Sequence, residues 1–214
     1  MTEFIRAIQP AGTRPILMFD LGNILVKLNE VTSLWPDRQP EPGTLSFSDR
    51  WSVSKTVHDY ETGRINGLDR FYRLACSELG ITVSEDRFKQ VFIEVIGDLF
   101  DETIPLLTAI KPHYQLALLS NTSPDHWLHC RDELGLGGFF DHTFVSYELG
   151  IMKPDKRIYE QVLAQLNVDP QTIWFFDDRE VNVKAATEAG IHAIHSFGGD
   201  RLLNDLRKLK IIES

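Results

Sequence analysis

Apolar and polar positions follow two different rhythms along this chain. From about residue 100 onward, short apolar runs alternate with stretches of helical spacing. Gln115-Leu-Ala-Leu-Leu119, Thr143-Phe-Val-Ser146, Ile173-Trp-Phe-Phe176 and His192-Ala-Ile-His-Ser196 predict strands. Thr103–Lys111, Pro124–Leu134, Lys156–Leu166, Val181–Ala189 and Asp200–Leu209 predict the helices between and after them. Near the start, Ile16-Leu-Met-Phe19 stops at Asp20 and Gly22 and predicts a buried first strand. Strands that are continuously apolar and alternate with helices imply an α/β fold, a parallel sheet covered by helices on both faces.

The second rhythm fills the stretch between the first strand and residue 100. Trp51, Val53, Val57 and Tyr60 form one stripe, ended by Gly63. Leu68, Phe71, Leu74, Ala75 and Leu79 form a second, ended by Gly80; Phe88, Val91, Phe92, Val95 and Ile96 form a third, opened by Ser84. Spacing of this kind belongs to helices burying one face. Pro36, Pro40, Pro42 and Gly43 mark a loop ahead of them. The block reads as a small α-helical cap inserted after the first strand, over the carboxyl end of the sheet. The expected organisation is an extension over 1–15, a core from 16–30 and 101–214, and a cap over 31–100.

Composition narrows the function classes. With 43% hydrophobic and 25% charged residues the chain is ordinary globular material, and 214 residues bury about 70% of the unfolded surface. A net charge of −9 supplies no electrostatic footprint for nucleic acid and disfavours an anionic membrane surface, although a local site can still bind a small anion. No apolar run approaches the ~18 residues of a membrane span, and Met1–Pro15 lacks the apolar core of a signal peptide. Cys76 and Cys130 cannot build a disulfide framework, and both are expected as small buried side chains. A cytoplasmic protein, monomer or homodimer, with no nucleic-acid or membrane partner, is the expectation.

Ligands of open α/β sheets bind beyond the carboxyl ends of the strands. There the sequence places Asp20, then Ser120-Asn121-Thr122, Lys153 ahead of a proline, and Asp177-Asp178. Singly, each is an ordinary turn or capping residue. Together they form a complete set for phosphoryl transfer. A carboxylate can attack phosphorus. A lysine and a divalent cation can screen the repulsion between that carboxylate and a phosphate dianion. Further carboxylates hold magnesium, and a hydroxyl with turn amides binds phosphoryl oxygens.

Phe19-Asp-Leu-Gly-Asn-Ile-Leu25, Leu119-Ser-Asn-Thr122, Leu149-Gly-Ile-Met-Lys-Pro154 and Phe176-Asp-Asp-Arg with Asn182 resemble, in order, the four signature motifs of the haloacid dehalogenase-like hydrolase superfamily. Gly63-Arg-Ile65 and the run Lys153-Pro through Arg157-Ile-Tyr159 are similar to the bacterial α-D-glucose-1-phosphate phosphatase type. The resemblance implies a Rossmann-like core and a magnesium-dependent phosphatase acting on a small phosphorylated metabolite, sugar phosphates among the candidates. It implies that Asp20 is the nucleophile, forming an aspartyl-phosphate, and a metal ligand. Gly22 would offer its backbone carbonyl to Mg2+, Asp178 a carboxylate, and Asp177 a direct or outer contact, supported by Asn182. Ser120 and Asn121 would bind the phosphoryl group, and Lys153 would neutralise charge between it and Asp20.

One position departs from the pattern. Most phosphatases of the superfamily carry a general acid/base Asp two residues after the nucleophile, where this chain has Gly22. Positioned acid–base catalysis contributes roughly 10²–10⁴-fold, so its loss slows an enzyme without abolishing turnover. Either good leaving groups, such as anomeric, acyl or aryl phosphates, are favoured, or a cap residue supplies the proton; His58, Asp59 and Glu61 stand near the end of the first cap stripe. The alternative is a catalytically weak, phosphate-binding or regulatory member of the same fold. Dehalogenation fits poorly, because Asp20-Leu-Gly-Asn-Ile lacks the usual Asp-x-Tyr-Gly-Thr start, and the motif order disagrees with a signalling receiver domain. His126 and His129 read as solvated helix residues, the four tryptophans as packing residues, and Arg50, Arg64 and Arg179 as possible contacts for an anion.

Overall fold

A computed structural model describes residues 5–8, 14–30, 34–35 and 45–213. The loop marked by Pro36, Pro40, Pro42 and Gly43, and most of the 1–15 extension, lie outside the described residues. Residues 6–8 of that extension run beside the other end of the chain, where Ile8 N donates to Ile211 O (2.8 Å) and Glu213 N to Arg6 O (2.9 Å).

Five strands, β1 (Ile16–Phe19), β4 (Gln115–Ser120), β5 (His142–Val145), β6 (Ile173–Asp177) and β7 (His192–His195), form a parallel sheet in the order β5-β4-β1-β6-β7. This is the Rossmann-like α/β architecture. Alternate side chains serve opposite faces. Leu17, Phe19, Leu116 and Leu118 pack with α5 (Thr103–Ile110), α6 (Pro124–Leu128) and α10 (Asp200–Lys208). Ile16, Met18, Ala117 and Leu119 pack with α8 (Lys156–Leu166) and α9 (Glu180–Glu188). Strand order reverses direction at β1, so its carboxyl end opens the crevice where such sheets bind ligands.

The helical insert has its own apolar cluster, built on Trp35, Val57, Tyr60, Phe71, Phe88 and Phe92. Its helices are α1 (Phe47–Ser52), α2 (Lys55–Glu61), α3 (Leu68–Leu79) and α4 (Glu85–Glu94). The stripe through Trp51, Val53, Val57 and Tyr60 is therefore two helices. Ser54 caps the second by accepting from Val57 N, and Val53 in the break is 69% exposed. Val95 and Ile96 also leave the predicted third helix. Val95 caps α4, and Ile96 opens β3 (Ile96–Leu99), which pairs antiparallel with β2 (Val26–Leu28). This ribbon joins the insert to the sheet.

Two further differences concern the later helices. The predicted Pro124–Leu134 helix is α-helical only to Leu128 and continues as a π-helical turn over His129–Glu133, where Cys130 is buried. A one-turn helix, α7 (Ser146–Leu149), follows β5 and ends at Gly150 in the left-handed conformation. Among the described residues no helix is long and apolar enough to cross a membrane.

Candidate functional site

The carboxyl ends of β1, β4 and β6 bring Asp20, Ser120 and Asp177 together, and the turn before α8 swings Lys153 in between. The Lys153 ammonium is buried, 2.9 Å from Asp20 Oδ1, 2.7 Å from Asp177 Oδ2 and 2.9 Å from the Leu119 carbonyl. Burial alone would push this lysine down, but the two carboxylates outweigh it and hold its pKa above the ordinary value. Asp20 experiences the opposite balance. Burial raises it most, Lys153 lowers it and Asp177 raises it again, leaving it pushed up to about 7. Asp20 Oδ1 also accepts from Leu21 N at 2.7 Å. Both of these donors hold the same oxygen.

The remaining predicted residues divide by what they hold. Asp177 is fully buried and its carboxylate is engaged by Lys153, by the Asn182 amide at 2.9 and 3.1 Å, and by Arg179 N at 2.8 Å. Asn182 thus hydrogen-bonds both oxygens of Asp177. Asn121 spends both ends of its side-chain amide on the Lys153 backbone: Lys153 N donates to its Oδ1 and its Nδ2 donates to Lys153 O, each at 2.8 Å. An anion at this turn would meet the Ser120 hydroxyl and main chain rather than the Asn121 amide. Asp178 is half-buried and accepts from Asn23 Nδ2 at 3.0 Å. Asn23 has a positive φ of 56°, a conformation its short amide tolerates, and it shapes the turn that carries Gly22.

Asp20, Asp177 and Asp178 offer carboxylate oxygens lying within 4.8 Å of one another. Hard oxygen donors around a cavity suit magnesium, and with Asp177 already engaged by Lys153, Asn182 and Arg179 N, Asp20 and Asp178 are left to meet the ion. The same cavity contains Asn182, whose buried Oδ1 has no hydrogen-bond partner among the described residues. The donor set therefore fits a divalent cation.

A cavity of about 400 Å³ rises from this acidic floor and is closed on one side by the insert. Leu28, Trp51, Val95, Ile96 and Met152 give it an apolar wall, and Ser52, His58, Glu61 and Arg179 add polar groups. Trp51 thus faces the cavity while also packing edge-on to Phe71 (5.9 Å between ring centroids). Of the predicted anion contacts only Arg179 lines the cavity. Arg64 pairs with Asp59 and Arg50 donates to Leu79 O. His126 is buried rather than solvated. Its ring stacks on Phe92 (4.1 Å) and Nε2–H donates to Phe92 O at 2.6 Å.

The sequence pattern gives Asn23 no role and reads the buried His126 as solvated. Asn in a tight turn was a readable signal for the first; nothing in helical spacing marked the second.

Comparison with known proteins points the same way. The family model for haloacid dehalogenase-like hydrolases matches residues 15–190. A sesquiterpene phosphatase of Aspergillus oryzae is 27% identical over 195 residues, covering 90% of this chain and 94% of that protein. A D-ribitol-5-phosphate phosphatase of Bacteroides thetaiotaomicron is 23% identical, covering 71% and 76%. In structure, a haloacid dehalogenase family enzyme of the same bacterium, crystallised with magnesium and inorganic phosphate, superimposes with a TM-score of 0.73 at 24% identity, covering 88% of this chain and 96% of that one.

Proposed function

Since the chain belongs to the haloacid dehalogenase-like hydrolases, we propose that it is a magnesium-dependent phosphatase of a small phosphomonoester, working through a phosphoryl group carried on Asp20. The observation that carries this reading is the buried Lys153 held between Asp20 and Asp177 at the floor of the cavity. It keeps a carboxylate desolvated, and therefore reactive, beside a fixed positive charge that meets the incoming anion.

Asp20 would attack phosphorus through Oδ2, since Leu21 N and Lys153 Nζ both hold Oδ1. Ser120 and the turn after β4 would bind the other phosphoryl oxygens. Asp20, Asp178 and the Gly22 carbonyl would hold Mg2+. Asp177, whose oxygens are already taken by Lys153, Asn182 and Arg179 N, would anchor the lysine. Bound there, magnesium would neutralise charge on the phosphoryl oxygens. The helical insert would act as a cap that excludes bulk water and contacts the organic part of the substrate. Relatives that act on a phosphorylated polyol or terpene make a sugar phosphate or another small alcohol phosphate the class to test first.

The test is release of p-nitrophenol from p-nitrophenyl phosphate. Turnover should require magnesium and should fall to the blank in Asp20→Asn. A phosphate-binding member without catalysis, the reading that Gly22 keeps open, would bind inorganic phosphate and show no turnover in the unaltered protein.

A further inference from the structure

We propose that Glu61, at the end of α2, is the general acid and base of this site, delivered by the insert in place of the side chain that Gly22 lacks. The inference rests on the phosphatase reading and deepens it.

Position is the first argument. Glu61 lines the cavity that Asp20 and Gly22 floor. It is tied to the core by its own backbone: the Ser146 hydroxyl donates to Glu61 O at 2.6 Å and accepts from Thr122 N, beside Ser120, at 2.9 Å. Two residues on, Gly63 runs against α7 with φ 70°, and a Cβ there would lie 2.3 Å from the Tyr147 carbonyl. Only glycine permits that approach, which seats the end of α2 against the core. At Gly22 an added Cβ would lie 2.8 Å from a methyl of Leu28, an exposed side chain at the rim of the same cavity.

The second argument is elimination among the titratable groups facing the cavity or flanking Glu61. Asp59 is held ionised by Lys55 and Arg64. His126 already donates its Nε2 proton to Phe92 O, and burial holds its pKa down at about 4. His58 is exposed, with Nδ1 3.3 Å from the Arg64 guanidinium. Lys153, Asp20 and Asp178 are occupied in the floor. Glu61 is half-buried, and burial raises its carboxyl to about 7, against a lowering by Arg179. A general acid works best with a pKa near the operating pH.

In the first step an Asp20 oxygen bonds to phosphorus, the ester P–O bond breaks, and the Glu61 acid gives its proton to the departing oxygen. Alcohol leaves and Glu61 is a carboxylate. In the second step water adds to phosphorus, Glu61 takes the proton that water loses, and the bond to Asp20 breaks. Inorganic phosphate leaves, with the Asp20 carboxylate and the Glu61 acid restored.

Phenyl phosphate and p-nitrophenyl phosphate have nearly the same shape and differ in how much their leaving group needs a proton. In Glu61→Gln, kcat/KM for phenyl phosphate, which reports the first step alone, should fall roughly 10²–10⁴-fold, and that for p-nitrophenyl phosphate by at least about tenfold less. Rapid mixing of p-nitrophenyl phosphate with the variant should show a burst of p-nitrophenol, as the second step loses its base. Glu61→Asp, which keeps an acid, should recover part of the phenyl phosphate rate. An equal fall in kcat/KM on both esters in either variant, the mark of a structural role, or no fall at all, overturns the assignment of Glu61. No turnover of either ester by the unaltered protein removes the phosphatase reading itself, and this assignment with it.

Discussion

Lys153 shows what a buried charge costs when its partners are also charged. Its ammonium lies between two carboxylates, with a backbone carbonyl as third acceptor, and all three groups are out of water. Lys153→Met keeps most of the volume and leaves Asp20 and Asp177 facing each other without a cation. Removing one member of a buried ion pair costs about 3–5 kcal/mol. Urea denaturation in metal-free buffer should register that loss, and magnesium should return part of it if the cation binds the same cluster. A loss under about 1 kcal/mol, the scale of an exposed pair, would contradict the placement of Lys153. The order Asp20, Ser120, Lys153, Asp177 was legible in the sequence because each follows a strand or a motif. Which atoms meet was not. Asn121 looks like a phosphate contact in the sequence; its side-chain amide turns back onto the Lys153 backbone, which leaves any such contact to its main chain.

Between elements, the joint of α4 with α6 depends on an uncharged imidazole. His126 lies in the first turn of α6 and bonds the Phe92 carbonyl of α4. Burial, against smaller raising effects from that bond and from Asp125, depresses its pKa to about 4 from an ordinary 6.5. The unfolded chain therefore takes up the proton first as pH falls. The contribution of His126 to stability is complete above pH 6.5 and is lost progressively toward pH 4. At about 1.4 kcal/mol per pH unit, pH 5 costs about 2 kcal/mol. His126→Phe should show a smaller difference in unfolding free energy between pH 7 and pH 5 than the unaltered protein; an identical difference would remove His126 from this linkage.

The elements themselves were legible to unequal degrees. Long stripes and continuous apolar runs gave β1, α3, α8 and the later strands to within a residue or two. The β2–β3 ribbon was hidden because each strand is three or four residues long, partly polar, and paired with a partner about 70 residues away. Ser54 broke one apparent helix into two through its cap, a local hydrogen bond that outweighed a periodicity Val53 continued.

Taken as a whole, the molecule is a sheet and an insert with separate apolar clusters, joined by the ribbon and in contact where α2 meets α7 and where Phe92 stacks on His126. Tyr60 donates to Asp125 and Ser146 to Glu61 O, so α2 is attached to the core on the side of the cavity where Glu61 stands. The sheet supplies the acidic floor and the lysine, the insert supplies the wall, and an acyl phosphate on Asp20 is the event both would serve. Sodium borohydride reduces an acyl phosphate on aspartate to homoserine. The protein should therefore be quenched in acid during turnover of p-nitrophenyl phosphate with magnesium, reduced, digested and sequenced by mass spectrometry. Homoserine at position 20, and absent from Asp20→Asn, is the predicted result. Homoserine at another carboxylate, or none while turnover proceeds, would contradict the account.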